Sequence, residues 1–294
     1  MIVITTPTGN ICSQLLRKVL EAGVPARLIV RDAAKLPASV RERVEIVEGS
    51  HGDAQVVDEA FAGADTLFWL VPPNPKATDV HAAYVDFTRP ACEAIKRHGV
   101  KRVVAVSALG RELPQALQAG LVTASLAMDD LLAATGVDLR VLVMPSFMDN
   151  ILNQVPLIKA QGMFVSPISG SRKAPTCATR DIAAAAADLL LAASWTGQAE
   201  VPVLGPEDLS NDDMAATLSE VLGKPVRFQQ VPVDAFRQQL IGFGWSDAMA
   251  QGMVDMFVAK ENGLDSGVQR TAETGSPTTF KQWCEAVLKP AVAA

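Results

Sequence analysis

Six short runs of nearly continuous apolar residues constrain this chain most. They are IVITT (Ile2 to Thr6), ARLIVR (Ala26 to Arg31), VEIV (Val44 to Val47), TLFWLV (Thr66 to Val71), RVVAVSA (Arg102 to Ala108) and LRVLVM (Leu139 to Met144). Each reads as a strand with both faces buried, and prolines stop the fourth and sixth. Helical patterns fill the gaps. Ile11, Leu15, Leu16, Val19 and Leu20 mark one face of a helix that stops near Gly23. Further helices fit Ala54 to Phe61, Asp79 to His98 (kinked at Pro90, capped by Gly99) and Ser125 to Thr135. Strands that are apolar throughout and alternate with helices imply a parallel sheet covered on both sides. Right-handed crossovers narrow this to an α/β fold with a doubly wound, Rossmann-type sheet.

After Pro145 the alternation weakens. The reading is a nucleotide-binding domain over residues 1–150 and a smaller, mostly helical substrate-binding part over 151–294. The stretch from Asn150 to Ala174 reads as loop. A helix from Arg180 to Ala193 and a strand from Val201 to Leu204 should return to the sheet, so that Ile182 to Leu204 belongs with it. Ser210 to Leu222 reads as a capped helix ending at Gly223, and Val226 to Val231 as a short strand. Helical segments follow at Pro232 to Phe257 and Thr278 to Leu288.

A formal charge of −6 without any Lys/Arg run argues against nucleic acid or an anionic membrane as partner. No stretch reaches the roughly 18 uninterrupted apolar residues of a membrane span. Met1 leads straight into a strand without a basic leader, so the cytoplasm is the expected location. The four cysteines are scattered and share no ligand spacing with the three histidines, so neither a metal site nor a disulfide framework is expected.

The first strand runs directly into a helix through Thr8-Gly9-Asn10-Ile11. Free N–H groups and the positive end of the helix dipole converge at such a junction and make an anion site. Set against G-x-x-G-x-x-G, the glycine positions read Thr6, Gly9 and Cys12, and Cys12 should push the helix slightly outward. A plain strand-to-helix connection is the less favoured alternative for this turn. Arg31 ends the second strand, about 20 residues on, where a side chain meets the ribose 2′ position of a dinucleotide. Its fork suits a 2′-phosphate, which favours NADP(H), with NAD(H) possible. Asp32 is the competing partner, for Arg31 itself or for a free ribose hydroxyl.

TPTGNIC, LIVRDAAKL, EGSHGDAQVVDEAFAGADTLFWLVPP, GVKRVVAVSALG and TGVDLRVLVMPSFMDN, in this order, resemble the NmrA-like branch of the atypical short-chain dehydrogenase/reductases. LGPEDLSNDDMAATLSEVLGKPV and SPTTFKQWCEAVLKP resemble its C-terminal part. The branch holds NADPH-dependent reductases and regulatory proteins that bind nucleotide without turning it over. The resemblance implies an adenine neighbour at Ser50 and His51, with an exposed loop histidine as the alternative. It places the ribose and nicotinamide beside Leu70, Val71, Pro72 and Pro73, with Ser107, Ala108, Met144, Pro145 and Phe147 at the neighbouring strand ends. Thr6, Thr8, Gly9, Asn10, Ile11 and Arg31 complete the cofactor set.

Reductases of the wider superfamily donate a proton from a Tyr-x-x-x-Lys pair. The single tyrosine here is Tyr84, and four residues later stands Thr88, so that pair does not exist. The corresponding helix reads SLAMDDLL, with Ser125 and Asp129 at i and i+4 on one face. Ser125 as an N-cap and Asp129 as a solvated helix acid is the expectation preferred over a substrate-binding pair. Ser107, Ser125 and Asp129 are the catalytic candidates. Quinones, azo compounds, imines and activated alkenes accept hydride without a strong protein acid, so a small aromatic or unsaturated acceptor is expected. Met148, Met163, Phe164, Phe243, Trp245, Met249, Met253, Met256 and Phe257 could line a flat apolar site or simply form core. The alternative function is a non-catalytic nucleotide sensor. The sequence leaves monomer and homodimer both open.

Overall fold

The structure, a computed structural model, describes residues 1–192 and 194–294; Ala193, the expected end of the helix from Arg180, lies outside the described residues. The first six strands are β1 Ile2–Thr5, β2 Ala26–Val30, β3 Glu45–Glu48, β4 Thr66–Trp69, β5 Arg102–Ala108 and β6 Asp138–Met144. Shorter strands follow at β7 Ser146–Phe147, β8 Met163–Ser166, β9 Ala174–Cys177, β10 Gln198–Pro202, β11 Asp208–Leu209 and β12 Arg227–Gln230. Seven of them form one sheet in the order β10-β6-β5-β4-β1-β2-β3, every pairing parallel. This is the doubly wound Rossmann order with one strand added beyond β6.

The helices are α1 Asn10–Glu21, α2 Ala38–Arg41, α3 Ala54–Phe61, α4 Phe87–His98, α5 Leu121–Ala133, α6 Val155–Gln161, α7 Thr179–Leu191, α8 Asn211–Leu222, α9 Val233–Gly242 and α10 Asp247–Glu261. Leu15, Leu16 and Val19 of α1 pack with Ile182 and Ala186 of α7 on one face of the sheet. Val57 of α3, Ile95 of α4 and Leu132 of α5 pack on the other. Alternate residues of β1 serve the two cores, Val3 one and Ile2 and Ile4 the other. Period-2 alternation with both faces apolar explains the unbroken hydrophobic runs.

Several boundaries differ from expectation for local reasons. α5 begins at Leu121, a full turn before Ser125, because Gly120 at φ 53 ends the preceding loop and supplies the N-cap. Ser125 is therefore inside the helix. The helix expected from Asp79 carries a π turn at Ala82–Asp86 just ahead of α4, and Pro90 lies one turn into α4. Pro90 has no N–H to offer the preceding turn, and a widened turn accommodates that loss. Gly99 caps α4 in the left-handed region at φ 64. The segment expected as loop between Asn150 and Ala174 contains α6 and β8. Pro156 starts that helix and left-handed Gly162 ends it, both too close together for a periodic signal. β8 pairs with β12, and β7, β9 and β11 make a second small sheet. α8 carries the expected Ser210 cap, reinforced reciprocally by Asp213.

The strand order reverses between β1 and β4, and one buried side chain ties the two strand ends. The Thr5 hydroxyl donates to the Phe68 carbonyl at 3.2 Å and accepts from the Leu70 N–H at 3.1 Å. Thr5 is fully buried, so both bonds form away from competing water. Thr5→Val keeps the shape and strands the Leu70 amide, which costs about 1–3 kcal/mol. Urea unfolding should show a lower midpoint with unchanged slope; an unchanged midpoint would mean that water replaces the hydroxyl there.

Candidate functional site

A cleft of about 1160 Å³ opens along the carboxyl ends of the strands. At its centre Gly9 is the N-cap of α1 and no side chain caps the helix, so the amides of Asn10, Ile11 and Cys12 remain available to a ligand. Gly9 also closes the turn, its N–H donating to the Thr6 carbonyl at 2.9 Å. A Cβ at position 9 would sit 3.3 Å from that carbonyl oxygen, tighter than side chains tolerate well. The two missing glycines are replaced by residues that bond each other. Thr6 adopts φ 51, the left-handed conformation that the first glycine of the pattern would take, and it is alone among the described non-glycine residues in doing so. Its Oγ1 lies 3.2 Å from Cys12 Sγ. Cys12 is buried, and burial first, opposed by that hydrogen bond, pushes its thiol up to about 12, so it stays protonated. All four cysteines are free and buried.

Arg31 lies just beyond β2, exposed on the cleft. Its expected competitor is otherwise engaged, because the Asp32 carboxylate accepts from the Ala34 N–H at 3.0 Å and caps a short turn. Among the described residues Arg31 forms no ion pair, so its guanidinium can meet an anion.

The loop after β3 holds Ser50 and His51 between two glycines that neighbours crowd. A Cβ on Gly49, which adopts φ 154, would collide with Val56, and one on Gly52 would overlap the Phe87 ring. His51 is not an exposed loop residue: it is about nine-tenths buried, edge-on to Trp69 at 5.1 Å and to Phe87 at 4.8 Å. Its Nε2 lies 3.1 Å from the Leu70 carbonyl, which can only accept, so Nε2 carries the proton. Burial first, opposed by that bond, lowers its pKa to about 4 and leaves the ring neutral at pH 7.

Farther along the cleft, Leu70, Val71 and Pro72 leave β4, and Ser107 and Ala108 end β5. Met144, Pro145 and Phe147 follow β6. Every residue expected around a dinucleotide thus borders one continuous cleft, together with Thr6, Thr8, Asn10 and Ile11. The far wall was foreseen only at Pro73, Met253 and Met256. It brings in Pro73 to Pro75, Tyr84 from the π turn, Leu121 and Val122 from α5, and Met253, Met256 and Lys260 from α10. Of the bulky C-terminal candidates only Met253 and Met256 reach the cleft. Met148, Met163, Phe164 and Met249 are buried core, Phe257 packs edge-on against Phe236, Trp245 is half-buried, and Phe243 is exposed. Lys260 is buried and held by both oxygens of Asp265, at 2.8 and 2.6 Å.

Asp149 and Thr179 were also missed. The Asp149 carboxylate accepts from Thr179 N–H at 3.0 Å and Oγ1–H at 2.8 Å. Gln14 Nε2 donates to the same Thr179 hydroxyl at 3.0 Å and to the Asn10 carbonyl at 2.7 Å. The network fixes the start of α1 against α7. Asp149 stands two residues past β7 on the segment that leaves β6, so the strand-end rule that selected Phe147 could have reached it; Thr179 and Lys260 carry no such mark.

The Ser125/Asp129 expectation needs correcting. Neither is solvated and Ser125 caps nothing: Ser125 is 8% exposed and Asp129 1%. The Ser107 and Ser125 hydroxyls are 2.9 Å apart, and both border the cleft. Asp129 lies behind them, one turn on from Ser125, with Oδ1 buried and without a hydrogen-bond partner. Arg111 is its nearest cation, but that guanidinium makes 2.6 Å bonds to Asp130 and Glu200 and stands 3.5 Å from Asp129. Burial raises the Asp129 pKa to about 8, against the opposing pull of the Ser107 hydroxyl and Arg111. The carboxyl is therefore mostly neutral at pH 7.

Fold and cleft together define a dinucleotide-binding protein of the Rossmann class. The NmrA-like family profile matches residues 1–284, and the chain belongs to that family. An NAD(P)H azoreductase of Xenophilus azovorans is 29% identical, with 97% of each chain covered. A (4-alkanoyl-5-oxo-2,5-dihydrofuran-3-yl)methyl phosphate reductase of Streptomyces griseus subsp. griseus is also 29% identical, over 96% of each chain. An NADPH-dependent quinone oxidoreductase of Escherichia coli, solved with NADPH bound, superposes with a TM-score of 0.79 at 23% identity, covering 98% of this chain and all of the other.

The raised pKa of Asp129 carries a sign for stability. An unfolded Asp titrates near 3.9, so between about pH 4 and pH 8 the folded state holds a proton that the unfolded chain releases. That contribution is complete below pH 4 and is lost as pH rises toward 8. Asp129→Asn removes the dependence. Its stability should match wild type near pH 4 and exceed it increasingly toward pH 8, by on the order of a few kcal/mol, read as a growing difference in melting temperature. A difference that is flat with pH in thermal melts would mean an ionised Asp129 throughout.

Proposed function

We propose that this chain is an NADPH-dependent reductase of a flat, small aromatic or unsaturated acceptor, of the quinone, azo, imine or activated-alkene kind. One observation carries the reading: a single cleft runs from Arg31, which forms no ion pair among the described residues, past the free amides of α1, to a hydroxyl pair walled by apolar side chains. Its volume exceeds the roughly 300–1000 Å³ of ordinary small-ligand pockets, which suits a dinucleotide with an acceptor beside it.

The residues present fit the cofactor. The amides of Asn10, Ile11 and Cys12 would hold the diphosphate, Arg31 the 2′-phosphate, and the Ser50–His51 loop would flank the adenine. A neutral His51 between two aromatic rings adds no charge that would repel or overbind there. Bound in this way, reduced nicotinamide supplies a hydride. Residues 1–150 hold the cofactor in this reading, while Met253, Met256 and Lys260 from residues 151–294 cover the acceptor. Pro72 to Pro75 give a stiff opposing wall, and Leu121 and Val122 a greasy floor, both suited to a planar ring. The activities of the azoreductase and quinone oxidoreductase relatives support the same acceptor class.

Two measurements test this. Arg31→Ala should weaken NADPH binding by roughly 10–100-fold and leave NADH almost unchanged, since about 1.5–3 kcal/mol attends a charged hydrogen bond to phosphate. Titration by tryptophan quenching reads both; equal losses for the two cofactors would remove the role given to Arg31. NADPH oxidation should accelerate in the presence of quinones or azo dyes. Tight NADPH binding with no accepted substrate across such a panel would instead favour a nucleotide sensor.

A further inference from the structure

We infer that Asp129 is the proton reservoir of this site, delivering a proton to the reducing acceptor through the Ser107–Ser125 hydroxyl pair; this rests on the reductase reading above. The geometry carries it. Asp129 and Ser125 share one face of α5, Ser125 stands 2.9 Å from Ser107, and both hydroxyls reach the cleft while the carboxyl does not. Asp129 Oδ1 is buried without a partner, an arrangement that costs free energy and that a purely structural carboxyl would avoid. No hydrogen bond of ordinary length joins Asp129 to Ser107. Such contacts commonly tighten only once substrate is bound.

The charges around the carboxyl fit this role. Arg111, from the turn after β5, gives its short bonds to Asp130 of α5 and Glu200 of β10, and so leaves Asp129 undercompensated. On α10, Lys260 is neutralised by Asp265. On the π turn, burial keeps the Tyr84 phenol protonated. Burial likewise keeps Asp129 neutral below about pH 8.

The step balances as follows. An acceptor that gains a hydride, two electrons and one hydrogen, develops negative charge on its oxygen or nitrogen. A serine O–H bond breaks as the new O–H or N–H bond forms. The serine oxygen then takes the Asp129 proton, and solvent later reprotonates the carboxylate. A serine alone is too weak an acid to supply this proton at neutral pH, and the single tyrosine has no lysine four residues on. Asp129 never touches the acceptor in this scheme. It is a positioning residue that acts through the serines.

Two readouts test the relay. With a quinone acceptor, wild-type kcat should be level near pH 6 and fall above about pH 8. Asp129→Asn should lower kcat at pH 7 by roughly 100-fold, the lower end of general-acid effects, keep KM within about twofold, and abolish the fall. Infrared titration of the protein without cofactor or acceptor should show a protonated carboxyl band, absent in Asp129→Asn, that disappears near pH 8. A variant with the wild-type kcat profile, or a carboxylate already ionised at pH 6, overturns the relay. Should Asp129→Asn not fold, the infrared titration of wild type labelled with ¹³C-aspartate, read together with the kcat profile of Ser107→Ala, decides by the same criteria. Failure of wild type to reduce any acceptor would defeat the reductase reading first and the relay with it. A missing carboxyl band in an active enzyme defeats the relay alone.

Discussion

The reversal of strand order between β1 and β4 is the constraint on which the rest of this structure depends. Crossovers run one way from β1 toward β3 and the other way from β4 toward β10, so the connecting chains part company above these two strands. The two strand ends must be tied at the floor of the gap, and the backbone exposed in the gap must be satisfied. Thr5 does the first by bonding the Phe68 carbonyl and the Leu70 amide with one buried hydroxyl. The second is left undone by the protein itself, because the first turn of α1 carries no side-chain cap. Free amides at a helix start, in a cleft with few acidic side chains nearby, select an anionic ligand.

The eroded glycine pattern is a change of chemistry more than of shape. At the first position Thr6 takes the left-handed conformation that glycine adopts without strain, at roughly 1–2 kcal/mol for a residue with a Cβ. At the third, a thiol occupies the space between helix and strand. The Thr6–Cys12 contact offsets part of that strain and removes two polar groups from the list of unpaired ones. The middle glycine has no such substitute. Any side chain at position 9 would crowd the Thr6 carbonyl. One retained glycine in three is therefore the one whose replacement the site could least absorb.

The fold was largely legible in the sequence because its strands are buried on both faces and so advertise themselves as unbroken apolar runs; β5 and α3 were bounded to the residue. The cleft was legible wherever a strand end feeds it, which covers Arg31, Ser107 and Phe147. What could not be read depends on distant parts of the chain. Lys260 reaches the cleft only because α10 lies across α5, and no local pattern encodes that. The start of α5 was misplaced because Gly120 acts as a cap by backbone geometry, whereas the serine four residues into the helix looked like a cap by composition. That single error concealed the most informative fact about Asp129, its burial. An acid on a helix is normally solvated, whereas this one lies on the Ser125 face that α5 packs toward β5.

Where the wider superfamily sets a lysine below a tyrosine, this chain sets an acid below a serine, and the two solutions answer one problem in opposite electrostatic senses. A lysine makes a phenol acidic enough to give up its proton by favouring the phenolate. A serine hydroxyl is beyond such help, so a neutral carboxyl has to stand behind it, and burial is what keeps that carboxyl neutral. Arg111 marks the balance. Had its guanidinium turned a short face to Asp129, the acid would ionise and the hydroxyls would lose their source of protons; with Asp130 and Glu200 claiming those bonds, it does not. Exchanging a phenol for a hydroxymethyl group also shortens the reach of the donor by a ring. In the proposed scheme the acceptor then comes closer to the end of β5, within the cleft that Pro72 and Met256 line.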